Sequence, residues 1–265
     1  EYRHYRDLKN LDNIHCIFHE GACSDTMEYN KEFMMDVNFE YSKEIFSIAK
    51  SNKAKFIYAS SASVYGLNEN SEEISSNEAP LNIYAESKLL FDQYIMSQDY
   101  PAVGLRYFNV YGLGEEKKGK MASMAYKMNQ EYIKSKKISL FKGTGGYGNG
   151  EQKRDFIFIE DVVSINMFFM KGSFHDIYNV GTGEAKPFNE IANNIFKYYN
   201  DRNRNFNYID MPSYLIPKYQ NFTQANISKL RNAGYTYEFF DLSEGIKNYL
   251  NDLNTSSAWI STKQL

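Results

Sequence analysis

The chain has 265 residues, a formal net charge of -3 and 43% hydrophobic residues, which suits one large domain or two smaller units that each bury a core. Nucleic acid is an unexpected partner, because phosphates are bound by basic faces and no block of like charge is present. The sequence contains no run of 18 apolar residues, so we expect no membrane-spanning helix. The only cysteines, Cys16 and Cys23, have neither disulfide-scaffold nor metal-ligand spacing, so we expect a cytoplasmic protein without a metal site.

Strands and helices alternate along the first half of the sequence. Apolar runs predict buried strands at residues 14–18, 55–59 and 103–108. A helical period predicts a helix at residues 31–50, between the first two strands. A further helix carries Tyr84 and Lys88 and follows a polar loop that ends at Pro80. Such alternation implies right-handed crossovers. The predicted fold class is therefore α/β, a Rossmann-like doubly wound parallel sheet with helices on both faces.

A polar cluster follows each predicted strand, at residues 19–24, 60–66 and 109–112. In parallel sheets of this class, ligands bind at the carboxyl ends of the strands. The sequence therefore predicts one ligand site that these clusters border.

The alternation loosens after Gly112, as expected for a smaller α/β substrate-binding lid domain. The predicted elements are helices at 121–134, 188–199 and from Val162, and strands at 138–142, 154–159 and 177–180. We expect residues 1–115, with returns near 154–182, to form the nucleotide-binding domain. Residues 116–153 and 183–254 form the predicted substrate domain, and 255–265 a frayed tail.

Ser61, Tyr84 and Lys88 have a spacing that can support hydride-transfer chemistry. Residues four apart on a helix share one face, so the Lys88 ammonium is expected to lower the pKa of the Tyr84 phenol toward neutral pH. Ser61, beside Ser60 at the end of a strand, can hold the substrate oxygen during proton transfer. In a chain with 23 tyrosines, a Tyr-x-x-x-Lys pair alone is more often ordinary helix surface, and only the topology around it favours catalysis.

Four ordered motifs carry a family resemblance. They are Ser-Ala-Ser-Val-Tyr-Gly at 61–66, Tyr84 with Lys88, Arg-Tyr-Phe-Asn-Val-Tyr-Gly at 106–112 and Arg-Asp-Phe at 154–156. Together they resemble the extended short-chain dehydrogenase/reductases that act on nucleotide-sugars. The resemblance covers nearly the whole chain and implies that Ser61, Tyr84 and Lys88 are catalytic.

Within that family, five further stretches resemble the ADP-glyceromanno-heptose 6-epimerases: 19–24, 109–119, 121–123, 141–144 and 219–225. Such enzymes oxidise a sugar carbon with NADP and reduce the ketone from its other face. The resemblance implies two opposed acid/base groups, Tyr84 and Lys118, with Lys88 holding Tyr84. From the residues alone, the loop 115–120 that contains Lys118 indicates a solvated charge cluster.

The same resemblance implies the ligand contacts. NADP, with NAD as an open alternative, would be bordered by Glu20, Gly21, Ala22, Cys23, Ser24, Asn38, Lys88, Val110 and Lys118. The ADP-heptose would be held by Ser61, Asn109, Lys120, Lys127, Phe141, Lys142, Gly143, Thr144, Arg154 and Tyr219. Lys127 and Lys120 replace the family's His and Ser but keep hydrogen-bond donors. The family also implies a homo-oligomer.

The glycine-rich turn that normally opens a dinucleotide site does not precede Glu1. The Gly-x-Gly-x-x-Gly match at 143–148 leads into another predicted strand, so we expect it to be a loop. The sequence thus predicts an amino-terminally truncated enzyme that lacks about one to two βαβ units of ~30 residues. Weak NADP binding and slow or absent turnover are expected, and micromolar binding by calorimetry would contradict this.

Three other functions compete. A UDP-sugar 4-epimerase shares the Ser, Tyr and Lys but fits the Lys118 loop and the Tyr219 segment less well. A dTDP-sugar dehydratase needs carboxylates beside the serine, where Ala62 and Ser63 stand. A fragment that binds a nucleotide or a partner without chemistry is the non-enzymatic alternative.

Overall fold

The computed structural model describes residues 13–262, except for the side chains of residue 218 and of residues 256–262. The predicted truncated start and the last residues of the predicted frayed tail, 263–265, lie outside the described residues. The strands are β1 (Cys16–His19), β2 (Lys55–Ser61), β3 (Ala102–Tyr107), β4 (Asn109–Tyr111), β5 (Ile138–Phe141), β6 (Lys153–Phe158), β7 (Asp176–Val180), β8 (Ala185–Pro187) and β9 (Phe206–Ile209). The helices are α1 (Lys31–Met35), α2 (Tyr41–Asn52), α3 (Ile83–Met96), α4 (Met124–Ser135), α5 (Ile159–Lys171), α6 (Phe188–Tyr198), α7 (Ser228–Asn232) and α8 (Leu242–Thr262).

The contacts divide the chain into two units. The first comprises the residues up to Tyr107 with Ser164–Val180 and Ser228–Tyr235, and the second comprises Phe108–Val163, Gly181–Ile227 and the residues from Thr236 on. The sequence places this boundary at residue 115. The contacts change earlier because β4 pairs with β6 in a separate sheet instead of extending the sheet of β3.

The first unit contains a parallel sheet in the order β1-β2-β3-β7, with helices on both faces. On one face, α2 and α3 bury Phe46 and Phe91 against Phe56 and Tyr58 of β2. On the other face, Phe169 of α5 packs against Tyr178 of β7, with ring centroids 4.5 Å apart. The predicted α/β fold class is confirmed.

The second unit has two small sheets and a helical layer. Its sheets are β4-β6-β8, which is mixed, and the parallel pair β5-β9. The apolar faces of α4, α6 and α8 form its core around fully buried residues such as Ile195 and Phe196. A glycine-rich loop follows β5 and contains no helix, as the sequence predicts for residues 143–148.

Several elements differ from the sequence prediction. The helix predicted over 31–50 is broken into α1 and α2 by a π-helical turn at Asp36–Glu40, which turns Asn38 inward so that only 1% of it is exposed. The short elements β8, β9 and α7 were too brief to be predicted from periodicity. The predicted frayed tail is helical as far as Thr262, because neither Gly nor Pro interrupts α8 after Gly245. Among the described residues, no helix is long and apolar enough to cross a membrane.

Candidate active site

The strands of the first unit bring Ser61 to the carboxyl edge of the sheet. Ser61 ends β2 in extended conformation and pairs in register with Tyr107 at the end of β3. Its hydroxyl oxygen accepts hydrogen bonds from the backbone N–H and the hydroxyl of Ser63, at 3.2 and 2.9 Å. Ser61 thereby caps the 3₁₀ turn Ala62–Tyr65, and this contact fixes the direction in which its hydroxyl points.

Helix α3 presents Tyr84 and Lys88 to the same edge. The side chain of Asn82 caps the helix by accepting from the N–H of Ala85 at 2.8 Å, so Tyr84 lies in the first turn. The hydroxyl of Tyr84 is hydrogen-bonded with Ser61. Lys88 donates from Nζ to the carbonyl oxygen of Ala59 at 2.8 Å and lies 6.0 Å from the centroid of the Tyr84 ring. The structure therefore brings Ser61, Tyr84 and Lys88 together.

The pKa of Tyr84 differs from the expectation. Burial raises the pKa of its phenol, the hydrogen bond with Ser61 lowers it in part, and Cys23 raises it further. The expected lowering by Lys88 is absent because the ammonium binds the Ala59 carbonyl oxygen instead of the phenol oxygen. Tyr84 is consequently a neutral phenol at neutral pH, which can donate a proton to a substrate oxygen.

Lys88 has an unusual environment for an ammonium group. Burial lowers the pKa of Lys88 to about 8, although the carboxylates of Asp92 and Glu20 oppose that shift. The group is therefore mostly protonated at neutral pH and close enough to its midpoint to exchange a proton. Only one acceptor, the carbonyl oxygen of Ala59, is seen among the described residues, whereas an ammonium carries three donors.

The loop after β1 is held beside α3 by Asn38. The amide of Asn38 accepts from the N–H of Cys23 at 2.8 Å and donates to the carbonyl oxygen of Cys23 at 2.9 Å and to the hydroxyl of Ser87 at 3.0 Å. Gly21 and Ala22 are exposed, and a Cβ at Gly21 would meet no atom within 4 Å. The loop is thus fixed at one end and open at the other.

This arrangement fits a nicotinamide cofactor in two respects. The open backbone from Glu20 to Ser24 leaves space for a flat ring at the carboxyl ends of β1 and β2, and Lys88 keeps donors for ribose hydroxyls. The predicted contacts of Glu20, Gly21, Ala22, Cys23, Ser24 and Asn38 belong to this one region of the first unit. Asn38 acts on the loop, since its amide is fully used by Cys23 and Ser87 and by the Met34 sulfur.

In the second unit, Arg154 lies in an aromatic clamp. Its guanidinium carbon is 5.0 Å from the ring centroid of Tyr219 and 5.5 Å from that of Phe188, and Tyr219 also packs edge-on against Phe141. Arg154 is only 7% exposed, burial lowers its pKa, and no carboxylate among the described residues pairs with it. A buried cation without a counter-charge fits an anionic ligand, and its planar fork matches two phosphate oxygens.

The loop after β5 adjoins this clamp. Thr144 donates from its hydroxyl to the side-chain oxygen of Asn221 at 2.9 Å, and Gly143 donates its N–H to Asn149 at 3.0 Å. A Cβ at Gly143 would lie 1.9 Å from the carbonyl oxygen of Tyr147, so this turn requires glycine. Lys142 is half exposed and pairs with Asp210 at 2.9 Å.

The loop that carries Lys118 is organised by a buried carboxylate. Glu115 is 3% exposed and accepts from the N–H of Gly112 at 2.9 Å and from that of Ser123. Residues 116–120 are exposed, including Lys118 and Lys120. The sequence-based interpretation of 115–120 as a solvated charge cluster is therefore wrong at Glu115. Its burial could not be predicted from the sequence, because it accepts from backbone N–H groups, which any residue type supplies.

Two of the predicted substrate-binding lysines are close together. Lys127 of α4 donates from Nζ to the carbonyl oxygen of Lys120 at 2.6 Å, and burial lowers its pKa while Glu115 opposes that shift. Asn109 and Val110 are the first residues of β4, where they pair with Phe156 and Ile157. Asn109, Lys118, Lys120, Lys127, Phe141 and Arg154 all belong to the second unit, whereas Tyr84 and Ser61 belong to the first.

A cavity of about 210 Å³ lies elsewhere in the first unit. It is lined at the amino-terminal ends of β2 and β3 by Lys53, Phe56 and Val103, and by Phe169 and Phe174. Ser61, Tyr84 and Lys88 lie at the opposite end of the same strands. The predicted catalytic residues therefore lie at the open carboxyl edge and do not line this cavity.

The comparisons with known proteins agree with this geometry. The profile of the NAD-dependent epimerase/dehydratase family matches residues 6–181. The ADP-L-glycero-D-manno-heptose-6-epimerase of Helicobacter pylori is 38% identical, with a TM-score of 0.83, over 94% of this chain and 76% of that one. A UDP-N-acetylglucosamine 4-epimerase from Methanobrevibacter ruminantium, 24% identical with a TM-score of 0.81 over 94% and 80% of the two chains, shares the fold.

The UDP-glucose 4-epimerase of Thermotoga maritima also shares the fold, at 18% identity and a TM-score of 0.78 over 95% and 82% of the two chains. A family match over more than half of the chain, a relative at 38% identity and a Ser61–Tyr84–Lys88 cluster at the carboxyl edge of a parallel sheet lead to one assignment. The chain belongs to the NAD-dependent epimerase/dehydratase family of nucleotide-sugar enzymes.

Proposed function

We propose that the protein converts ADP-D-glycero-D-manno-heptose to ADP-L-glycero-D-manno-heptose by inversion at C6, with NADP bound. This reaction would supply heptose for the inner core of lipopolysaccharide. The resemblance to the H. pylori enzyme at 38% identity supports the substrate. The observation that carries the proposal within the chain is Arg154, a buried cation that lies between two aromatic rings and has no carboxylate partner among the described residues.

The side chains have distinct roles in this proposal. A nicotinamide, when bound, supplies the oxidation of the C6 alcohol and the reduction of the resulting ketone. Tyr84 exchanges a proton with the C6 oxygen on one face, and Ser61 holds that oxygen. Lys88 keeps the region around Tyr84 positive and binds ribose. Lys118 is the acid/base group for the opposite face, as inversion requires proton transfer on both faces of the ketone.

Substrate binding is assigned to the second unit. Arg154 and Tyr219 bind the diphosphate, Phe141, Lys142, Gly143 and Thr144 wall the adenosine, and Asn109, Lys120 and Lys127 bind the sugar and phosphates. A diphosphate restores the charge balance that Arg154 lacks among the described residues, and a charge-assisted contact of this kind contributes about 1.5–3 kcal/mol.

The substitution Arg154→Gln tests the diphosphate assignment. Calorimetry with ADP, AMP and UDP measures affinity without turnover. We expect ADP to bind more tightly than UDP, and Arg154→Gln to weaken ADP binding by about 10-fold to 100-fold, since about 1.4 kcal/mol corresponds to tenfold. The preference for ADP over AMP should shrink in the variant, because a diphosphate carries more negative charge for the Arg154 guanidinium to balance than a monophosphate does.

The matched control is Arg202→Gln, which removes an exposed arginine of the same unit. It should bind ADP as the unmodified protein does. Unchanged ADP affinity in Arg154→Gln would contradict the diphosphate assignment. Tighter binding of UDP than of ADP would contradict the ADP-sugar assignment and favour a UDP-sugar 4-epimerase.

A further inference from the structure

Asp92 lies on α3 one helical turn beyond Lys88 and is 1% exposed. One of its carboxylate oxygens, Oδ1, accepts from the hydroxyl of Tyr58 at 2.9 Å. The other, Oδ2, accepts from the hydroxyl of Ser60 and from Nε of Arg106, each at 2.9 Å. A single buried carboxylate therefore joins α3 to β2 and to β3.

Arg106 extends these contacts to the segments that flank the catalytic side chains. Its Nη1 donates to the hydroxyl of Tyr65 at 3.1 Å, and its Nη2 pairs with the carboxylate of Glu78. Tyr65 belongs to the turn that Ser61 caps, and Glu78 belongs to the loop that leads into α3. Arg106 is itself 1% exposed, so the charges of Arg106 and Asp92 are balanced mainly by one another and by Glu78.

Three consecutive residues of β2 contact three residues of α3 that are each one turn apart. Ser61 is hydrogen-bonded with Tyr84, the carbonyl oxygen of Ala59 binds Lys88, and Ser60 binds Asp92. The first two contacts place the side chains of the proposed reaction. The contact between Ser60 and Asp92 has no role in the proposed reaction. It is nevertheless the most buried of the three, and the Asp92 carboxylate is paired with the guanidinium of Arg106.

We propose that Asp92 is a positioning residue for the catalytic cluster: through Ser60 and Arg106 it holds the end of β2 against α3, so that Ser61 meets Tyr84 and the Ala59 carbonyl meets Lys88. This inference rests on the roles of Tyr84 and Lys88 in the proposed function. Asp92 touches no substrate atom and acts only through its neighbours.

The charge of Asp92 also reaches Lys88. Burial raises the pKa of the Asp92 carboxyl, whereas Arg106, Ser60 and Tyr58 lower it, and the Arg106 partner keeps it ionised. Asp92 is the largest influence that opposes the lowered pKa of Lys88, followed by Glu20. His19 at the end of β1 also faces Lys88, but it is neutral near pH 7 because its pKa is lowered to about 4.

Asp92→Asn tests the inference by NMR, with the ¹³Cε resonance of Lys88 followed against pH in protein labelled with ¹³C-lysine. The variant keeps the shape of the side chain and loses the charge. We expect the midpoint of Lys88, near pH 8 in the unmodified protein, to fall by about one pH unit. A midpoint that differs from that of the unmodified protein by less than about 0.2 pH units, well below the expected shift, would overturn the inference.

Glu78→Gln is the matched control, since it removes another carboxylate from Arg106 but does not influence Lys88. Equal shifts of the Lys88 midpoint in the two variants would mean that loss of any carboxylate beside Arg106 has this effect, and that result would overturn the specific role of Asp92. We expect the Lys88 midpoint of Glu78→Gln to match the unmodified protein.

Ser60→Ala provides a second variant that keeps the Asp92 charge, in case Asp92→Asn does not fold. Loss of the Ser60 contact should weaken the bond between Ser61 and Tyr84, so the pKa of Tyr84, followed by its ¹³Cζ resonance, should rise. An unchanged Tyr84 titration would contradict the positioning role. Neither measurement uses turnover or ADP binding, so a failure of the proposed function, such as unchanged ADP affinity in Arg154→Gln, leaves this test independent.

Discussion

At the scale of single residues, His19 shows how the sheet edge fixes protonation states. The hydroxyl of Ser42 donates to the carbonyl oxygen of Asn38 at 2.6 Å, so it accepts from Nε2 of His19, 2.8 Å away. The neutral imidazole is therefore protonated at Nε2. The ring stacks on Phe56 and meets Tyr41 edge-on, and burial lowers its pKa to about 4.

This shift predicts a specific dependence of stability on pH. The folded protein disfavours the charged imidazole, so the stability contributed by neutral His19 is complete above about pH 6.5 and is lost as pH falls toward 4. The loss between pH 7 and pH 5 should be about 2 kcal/mol from this group. His19→Gln lacks this titrating group. The free energy of unfolding of the variant, measured in urea, should therefore fall between pH 7 and pH 5 by about 2 kcal/mol less than that of the unmodified protein.

His15→Gln is the control, because His15 is an exposed histidine just before β1. Its free energy of unfolding should change with pH as that of the unmodified protein does. If His19→Gln lost as much stability between pH 7 and pH 5 as the unmodified protein, His19 would not be the buried neutral group described here.

The sequence predicted that Ser61, Tyr84 and Lys88 lie together, because their positions follow from single elements. Tyr84 and Lys88 share a helix face, and Ser61 ends a strand whose apolar run is plain in the sequence. The buried carboxylates of Asp92 and Glu115 were not predicted. Asp92 contacts Arg106 and Ser60 on two strands, and Glu115 accepts from backbone N–H groups of a loop. Hydrophobic periodicity along the sequence does not predict contacts of either kind.

At the scale of elements, Asp155 ties three segments of the second unit together. It is fully buried at the start of β6. One oxygen accepts from the N–H and the hydroxyl of Thr182, at 2.7 and 2.8 Å, and the other from the N–H groups of Gly183 and Ala225, at 2.9 and 3.0 Å. Asp155 adjoins Arg154 in β6, so its hydrogen bonds also fix the strand that carries Arg154.

Asp155→Asn should destabilise the second unit by about 3 kcal/mol. The amide keeps one acceptor oxygen and leaves two buried N–H groups unpaired, at about 1–3 kcal/mol each. Urea unfolding measures the loss. Asp210→Asn, which removes a carboxylate that is 85% exposed, is the control and should change stability by less than about 0.5 kcal/mol. Equal stability of the two variants would contradict the stapling role of Asp155.

Element prediction succeeded for the strands of the main sheet and for α3, but it missed α8 and failed where tertiary contacts decided the structure. The strands of the main sheet and α3 agree with the sequence to within about two residues, close to the usual uncertainty of such boundaries. The π-helical turn at Asp36–Glu40 was not predicted, since the helical period continues through it. Asn38 supplies the reason for the turn, because its amide must reach the backbone of Cys23.

At the scale of the whole molecule, the residues of the proposed function belong to two different units. The first supplies the Ser61, Tyr84 and Lys88 cluster, and the second supplies Arg154, its aromatic clamp and Lys118. Fold class and family could be predicted from the order of motifs along the chain. The boundary between the units could not, because β4 follows β3 by a single residue and yet joins another sheet.

The most direct test of the proposed function is conversion of ADP-D-glycero-D-manno-heptose by the purified protein with NADP in deuterated water, followed by NMR. We expect the L-glycero product with the original hydrogen at C6, because a transfer from carbon and back does not exchange with solvent. Tyr84→Phe should lower the rate by about 100-fold or more. Tyr94→Phe, which alters another tyrosine of α3, should retain it. Deuterium at C6 of the product, a product other than the L-glycero epimer, or an unchanged rate in Tyr84→Phe would contradict the proposal.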